Sequence, residues 1–495
     1  MKNKKALRLI VIVISLFILT VPMAAANEKV LNIAVQADPD SFDPTRSVAA
    51  ATVEIAFNIY EGLVKANEYG ELEAALATHW EIDPSQTVYT FYLRDAYFHN
   101  GQKVTVDDVV NAINRARDPQ IGQKADEYEA IESVYGEDNR VIVKLRAPHG
   151  PLIYEFADLA MAIYPKDAAN LANQPIGTGP YKFVEWRPNQ SIKLARFDEH
   201  WADAKPYFEE VNFRIIPDDH SAILNLKTGF VDLIPRLDAS LLHQVEGDPR
   251  INVLAAPMNL VQLLVINNQD PILKDLRVRQ AIALAIDREE IIFGAAWGNG
   301  DPIYTGLSPA MPKFYNDSLE DVYPYDPDRA KKLLAEAGYD KLEFTFYLPA
   351  QYSLHVNTGE IIAEQLNRVG IKANIEIIDW GTWLDKVYTQ RDYQLSIVGL
   401  TGKLDPHAIL VRYTSDSSRN FFNFDNQEYD RIIAEAIDVP DEQRVQLYRQ
   451  AQKIMTENVA GVFIMDPSQL VITSKDLKGW KNYPIYVIDV AALYR

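Results

Sequence analysis

The sequence predicts an α/β protein built as at least two lobes, and three observations carry that expectation. The chain has 495 residues, 48% of them hydrophobic, which is more than one apolar core usually organises. Helix and strand signals alternate along it, in units where a glycine stop separates an amphipathic helix from a strand of period two. After the first 26 residues no segment approaches 18 consecutive apolar residues, and there is no internal repeat or low-complexity tract.

The elements follow in order. Lys2, Lys4, Lys5 and Arg8 precede an apolar stretch from Leu9 to Met23 and then the small residues Ala24 to Ala26. That pattern is read as a cleavable export signal over residues 1–26; as a spanning helix the stretch is short of the roughly 20 residues required. The stretch "TVYTFYLRDAYF" is rich in β-branched and aromatic residues and reads as a strand, closed by a turn at His99 to Gly101. Thr105 with Asp108 makes a capping box that starts a helix with Val109, Val110 and Ile113 inward. In "IGTGPYKF", Gly177 and Gly179 are read as supplying backbone angles closed to other residues, with Pro180 leading into a strand at Tyr181. A phosphate cradle there would need a following Lys-Ser/Thr and a helix, and neither occurs.

Helix signals sharpen in the second half. Val278, Ala281, Ile282, Ala285 and Ile286 recur at helical spacing, and Asp287 with Glu290 reads as a second capping box. Asp326 caps a helix with Pro327 in its first turn, Leu333 and Leu334 inward and Gly338 as its stop. In "GEIIAEQLNRVGIKANIEIID" a helix ends at Gly370, and Ala373, Ile375 and Ile377 then alternate with Lys372, Asn374 and Glu376.

Composition excludes several functions. The net charge is −20, and without residues 1–26 it is −24, from 45 basic and 69 acidic side chains. With no basic run to offset it, such a surface repels nucleic acid. There is no cysteine, hence no disulfide, thiolate metal site, Cys nucleophile or lipid attached to an N-terminal cysteine. The mature chain is therefore expected free in the periplasm, without a lipid anchor. No Gly-x-Ser-x-Gly elbow, Walker pattern or His-Glu-x-x-His motif is present. A binder is expected rather than an enzyme, with a secreted hydrolase as the rival class.

Five segments in order resemble the bacterial extracellular solute-binding proteins of the peptide/nickel class (family 5), the binding components of ABC importers. They are "ADPDSFDPTRS", the block from "EGLVKANEYG" to "VTVDDVV", "IGTGPYKFVEW", "VRQAIALAIDREEII" and the loop "VGLTGKLDPHAIL". The resemblance implies a type II-like two-lobed periplasmic-binding-protein clamp with an extra subdomain in its first lobe. On that pattern residues 27–60, 176–260 and 472–495 form lobe I, 61–175 its subdomain, and 261–471 lobe II. It also implies hinge closure on a peptide or peptide-like solute and delivery to an ABC permease in the membrane. A monomer is expected, with no cofactor. A nickel or metal-chelate binder is the alternative within the family.

The same resemblance supplies candidate ligand contacts. Thr401, Gly402, Lys403, Asp405 and His407 fall in the loop that lines the cleft. In peptide binders an acidic residue of that loop pairs with the peptide amino terminus, and here the position is Lys403, which would repel an ammonium group. Either Asp405 takes over, or the ligand presents an anionic or chelated group. "LHVNTGEII" lacks the arginine that grips a carboxylate in dipeptide binders, and His355 is the nearest substitute. "DPHA" resembles the nickel branch. Arg46 is a candidate bidentate partner for a carboxylate, and Trp383 is either a ligand platform or core packing.

Overall fold

The structure, a computed structural model, describes residues 29–47 and 49–495. The export-signal reading of residues 1–26 lies outside the described residues. A twelve-stranded sheet organises the molecule in two halves, called here the first and second sheets, and one long strand belongs to both.

The first sheet is centred on Val30–Val35, which pairs in parallel with Glu210–Ile215 on one side and Leu233–Ile234 on the other. Ser191–Arg196 and Tyr181–Arg187 extend it antiparallel to its edge. In the second sheet Leu260–Ile266 pairs antiparallel with Leu395–Thr401. Leu342–Pro349 and Ile371–Ile378 continue it in parallel. Helices Leu276–Leu284, Arg288–Ala295, Pro327–Glu336 and Ser353–Arg368 cover this sheet and share an apolar core with it. A separate four-stranded antiparallel sheet, ordered Ala77–Ile82, Val88–Leu93, Arg140–Leu145, Ile131–Glu137, carries helix Val106–Ala116 and forms the subdomain.

The shared strand is Gly461–Ser474. Its first half pairs with Leu260–Ile266 and Gly300–Pro302, and from Ser468 onward it pairs with Ile251–Pro257 of the first sheet. The second crossing passes through Met258 and Asn259, the latter with a left-handed φ of 58°. Asp466 ties the crossings together. Its carboxylate accepts the backbone N–H groups of Met258, Asn259 and Leu260 at 3.0, 2.9 and 3.1 Å, and also the Ser308 hydroxyl. A buried carboxylate is tolerated here because four donors converge on it.

Local signals explain most element boundaries. Thr105 and Asp108 form the reciprocal capping box at Val106, and Asp326 accepts from the Arg329 amide at 2.9 Å. Gly338 and Gly370 end their helices at φ 89° and 88°, angles that cost a side-chain-bearing residue about 1–2 kcal/mol. Three expectations change. Asp287 caps Glu290, but the Glu290 carboxylate turns to Arg368 at 2.7 Å, so the box is only half made; Gln365 serves the Asp287 amide instead. Ile371–Ile378 is the outer strand of its sheet, so its alternation weakens and Ile377 stays exposed. Gly177 and Gly179 have no positive φ. They are required by close approach: a Cβ would stand 2.1 Å from the Ile59 carbonyl oxygen and 2.5 Å from that of Asn58.

Candidate functional site

A cavity of about 770 Å³ opens between the lobes. Residues within 50–62 form one wall, joined by Lys124, Tyr154, Glu155 and Asp158. Gly399–Asp405 of the second lobe faces them, and the C-terminal segment Tyr483–Val487 closes a side. Its size suits a small organic solute, and its position between lobes is where such pockets concentrate.

The second-lobe wall is a strand edge. Leu395–Thr401 pairs along its whole length with Leu260–Ile266, but on its other side only Leu395 and Ser396 are paired. Antiparallel hydrogen bonding alternates. The Gly402 amide donates to the Asn259 carbonyl at 2.6 Å, so Leu400 and Val398 are the next bonded positions. That leaves the backbone N–H and C=O of Gly399 and Thr401 turned outward, with no strand partner among the described residues.

Most charges around the cavity are already matched. Lys124 binds Asp158 at 2.6 Å, and Lys481 binds Glu68 at 2.9 Å. Glu61 accepts from Thr178 Oγ1 at 3.0 Å and Trp201 Nε1 at 2.8 Å, and lies 3.2 Å from His200 Nε2. Glu155 is different: its carboxyl has no hydrogen bond or ion pair among the described residues. Burial pushes it up to about 8, Asp158 and Glu127 add to that, and Lys124 and Lys403 partly oppose it.

The residues expected from sequence divide into three groups. Thr401, Gly402 and Lys403 line the cavity, and Lys403 has no ion-pair partner among the described residues. Asp405 reaches the wall too, but its carboxylate is buried against Arg444 and accepts the His407 amide at 2.8 Å. It is therefore not free to receive a ligand cation, and the expectation that it takes over from Lys403 gives way to an anchoring position.

Four candidates lie off the cavity wall. His407 begins the short helix His407–Leu410, and burial pushes its imidazole down to about 4, so it is neutral at ordinary pH. His355 is buried beneath Gly399, paired with Gln262 Nε2 at 2.9 Å and also pushed down to about 4 by burial. Arg46 is exposed on the turn after Asp43, whose carboxylate is taken by Arg115 at 2.8 Å. Trp383 is 2% exposed, stacks on Trp380 at 4.7 Å and donates to Ser396 Oγ at 2.8 Å. Its indole is satisfied inside the lobe, so the packing reading describes it. Sequence reasoning did not single out Glu155, Lys124 or Asp158. They sit on a short helix and flanking loops with no motif, and only folding brings them opposite residues 399–405.

No group of three or more His, Asp or Glu side chains that could hold a metal ion occurs among the described residues. No helix among them is long and apolar enough to cross a membrane.

The chain resembles known proteins over nearly its whole length. It is 26% identical to oligopeptide-binding protein AppA of Bacillus subtilis over 90% of this chain and 88% of the relative. It is 27% identical to heme-binding protein A of Haemophilus influenzae (86% and 85%), and 28% identical to the dipeptide-binding protein of Escherichia coli K12 (96% and 95%). Among solved structures, HbpA2 from Haemophilus parasuis superposes with a TM-score of 0.86 at 25% identity, over 94% of this chain and 99% of that one. The ABC transporter-associated periplasmic binding protein DppA from Helicobacter pylori, in complex with the peptide STSA, gives 0.73 at 26% identity (94% and 98%). The relatives are substrate-binding transport proteins, and the two-lobed periplasmic-binding-protein clamp is their fold. The family model for bacterial extracellular solute-binding proteins, family 5 Middle, matches residues 71–421. The chain belongs to the bacterial extracellular solute-binding proteins of family 5, the solute-binding components of ABC importers.

Proposed function

We propose that this chain captures a peptide or peptide-like solute outside the cytoplasm and presents it to an ABC permease in the membrane. It is read as a binder and not a hydrolase, acting as a monomer after loss of an export signal over residues 1–26, free in the periplasm and without a lipid anchor. The observation that supports the peptide reading is the unpaired strand edge at Gly399 and Thr401, set in a cavity of about 770 Å³. Backbone N–H and C=O groups recognise another backbone without reading its side chains, which lets one site hold many sequences. The relatives named for oligopeptides and dipeptides, and the neighbour solved with STSA, point the same way.

The test is calorimetric titration with tri-alanine and with tri-alanine carrying backbone N-methyl groups. Affinity is expected to fall at least tenfold on methylation, while replacing alanine side chains by leucine changes it much less. Equal binding of the methylated and unmethylated forms would refute recognition through the strand edge.

A further inference from the structure

Among the acidic residues lining the cavity, Glu155 alone has no hydrogen bond or ion pair among the described residues. Glu61, Glu68, Asp158, Asp405 and Asp489 are all engaged, and Glu73 takes a long contact of 3.4 Å from Asn67. On the facing lobe Lys403 is exposed, lines the same cavity and is likewise without an acid. The field of Lys403 is felt at both Glu155 and Asp158, so the two walls are electrostatically within reach of each other. A half-buried carboxyl with no partner is costly to ionise unless something in the cavity completes it, and Lys403 offers a second, solvated and unengaged charge on the facing wall.

We propose that Glu155 and Lys403 are the two poles of the ligand site, Glu155 receiving a cationic group of the bound molecule and Lys403 its carboxylate. The occupant is then a zwitterion with both ends free, such as a short unblocked peptide, lying with its amino end toward the subdomain and its carboxyl end toward the second lobe. The inference rests on the peptide reading above and adds the polarity. It assigns the cation-receiving acid to the first-lobe wall, where no sequence motif marks it. The Lys124–Asp158 pair beside Glu155 is already neutralised, so it lends donors and acceptors without competing for the same charge.

The experiment uses the whole protein and a synthetic library of di- to pentapeptides in three forms: free, N-acetylated and C-amidated. Retention is read by native mass spectrometry, and affinities by calorimetry on the best-retained sequence. Wild type should favour the free form over each blocked form at least tenfold. Glu155→Gln should abolish discrimination against the acetylated peptide only, and Lys403→Gln discrimination against the amide only; thermal melting confirms that both variants fold. If both variants discriminate as wild type does, or lose affinity equally for all three forms, the polarity is wrong while the peptide reading stands. If no form is retained by wild type, the peptide reading fails and the polarity with it.

Discussion

Asp405 is held by Arg444 in an ion pair whose side chains are 2% and 0% exposed. Arg444 also reaches Asp441 at 3.1 Å and the Tyr448 hydroxyl at 3.2 Å. The pair fixes the loop that carries Lys403 to the helix Asp441–Glu457. Removing Arg444 strands the Asp405 charge in a dry site, which typically costs about 3–5 kcal/mol, whereas removing Asp405 leaves Arg444 its Asp441 contact and costs less. Arg444→Met and Asp405→Asn are each expected to lower the urea midpoint accordingly. The double change Asp405→Leu with Arg444→Met should recover part of the loss, because no uncompensated charge remains.

Asp466 should control how the lobes are joined. Asp466→Asn replaces an oxygen acceptor by an amide donor facing backbone N–H groups, and a loss of about 1–3 kcal/mol is expected from the unsatisfied donors. Because those donors belong to Met258, Asn259 and Leu260, the effect should extend to domain motion. Small-angle scattering should show a broader distribution of sizes in the ligand-free variant than in wild type.

Peptide affinity should depend on pH through Glu155. Its carboxyl sits at about 8 instead of the ordinary 4.5, facing Asp158, Glu127, Lys124 and Lys403. A cation needs the ionised form, so binding below pH 8 releases a proton from Glu155. Between pH 5.5 and 7, where a peptide amino terminus stays charged, affinity for a free peptide should rise up to about tenfold per pH unit. Glu155→Gln should flatten this rise. For folding the sign is opposite: a raised carboxyl contributes stability below about pH 4.5 that is lost as pH climbs through 8.

Gly402 has no room for a side chain, since a Cβ would lie 2.1 Å from Asn259 side-chain atoms. Asn259 in turn donates to the Pro484 carbonyl at 2.8 Å, linking the hinge to the C-terminal wall of the cavity. Gly402→Ala is expected to cost about 1–3 kcal/mol through overpacking and to weaken ligand binding as Lys403 is displaced. Thr401→Ala, at an exposed neighbouring position, should stay within about 0.5 kcal/mol of wild type in stability.

The two tryptophans Trp383 and Trp201 should behave oppositely. Trp383 is packed inside the second lobe, whereas Trp201 lines the cavity with the Arg94 guanidinium 3.6 Å from its ring centre. Ligand-induced change in tryptophan fluorescence is expected to fall sharply in Trp201→Phe and to persist in Trp383→Phe.

Several elements were legible because their causes are local. The Thr105–Asp108 box, the Asp326 cap and the left-handed stops at Gly338 and Gly370 each depend on residues a few positions apart. Where a distant residue competes, the local reading fails. Glu290 abandons its capping box because Arg368, 78 positions away, offers a charged partner. Gly177 and Gly179 were legible as glycine positions but not in their reason, which is the backbone of Asn58 and Ile59 passing close by.

By itself the sequence determined the α/β alternation, the existence of more than one core, the absence of thiol chemistry and the loop that meets the cavity at 401–405. Only the tertiary structure decided which charges in that cavity are matched. It turned Asp405 inward to Arg444, sank His355 and Trp383 into the second lobe, and brought Glu155 opposite Lys403. The physical reason is range: hydrogen-bonded turns and caps are settled within a few residues, whereas an ion pair or a cavity wall is settled by whichever segments the chain folds together.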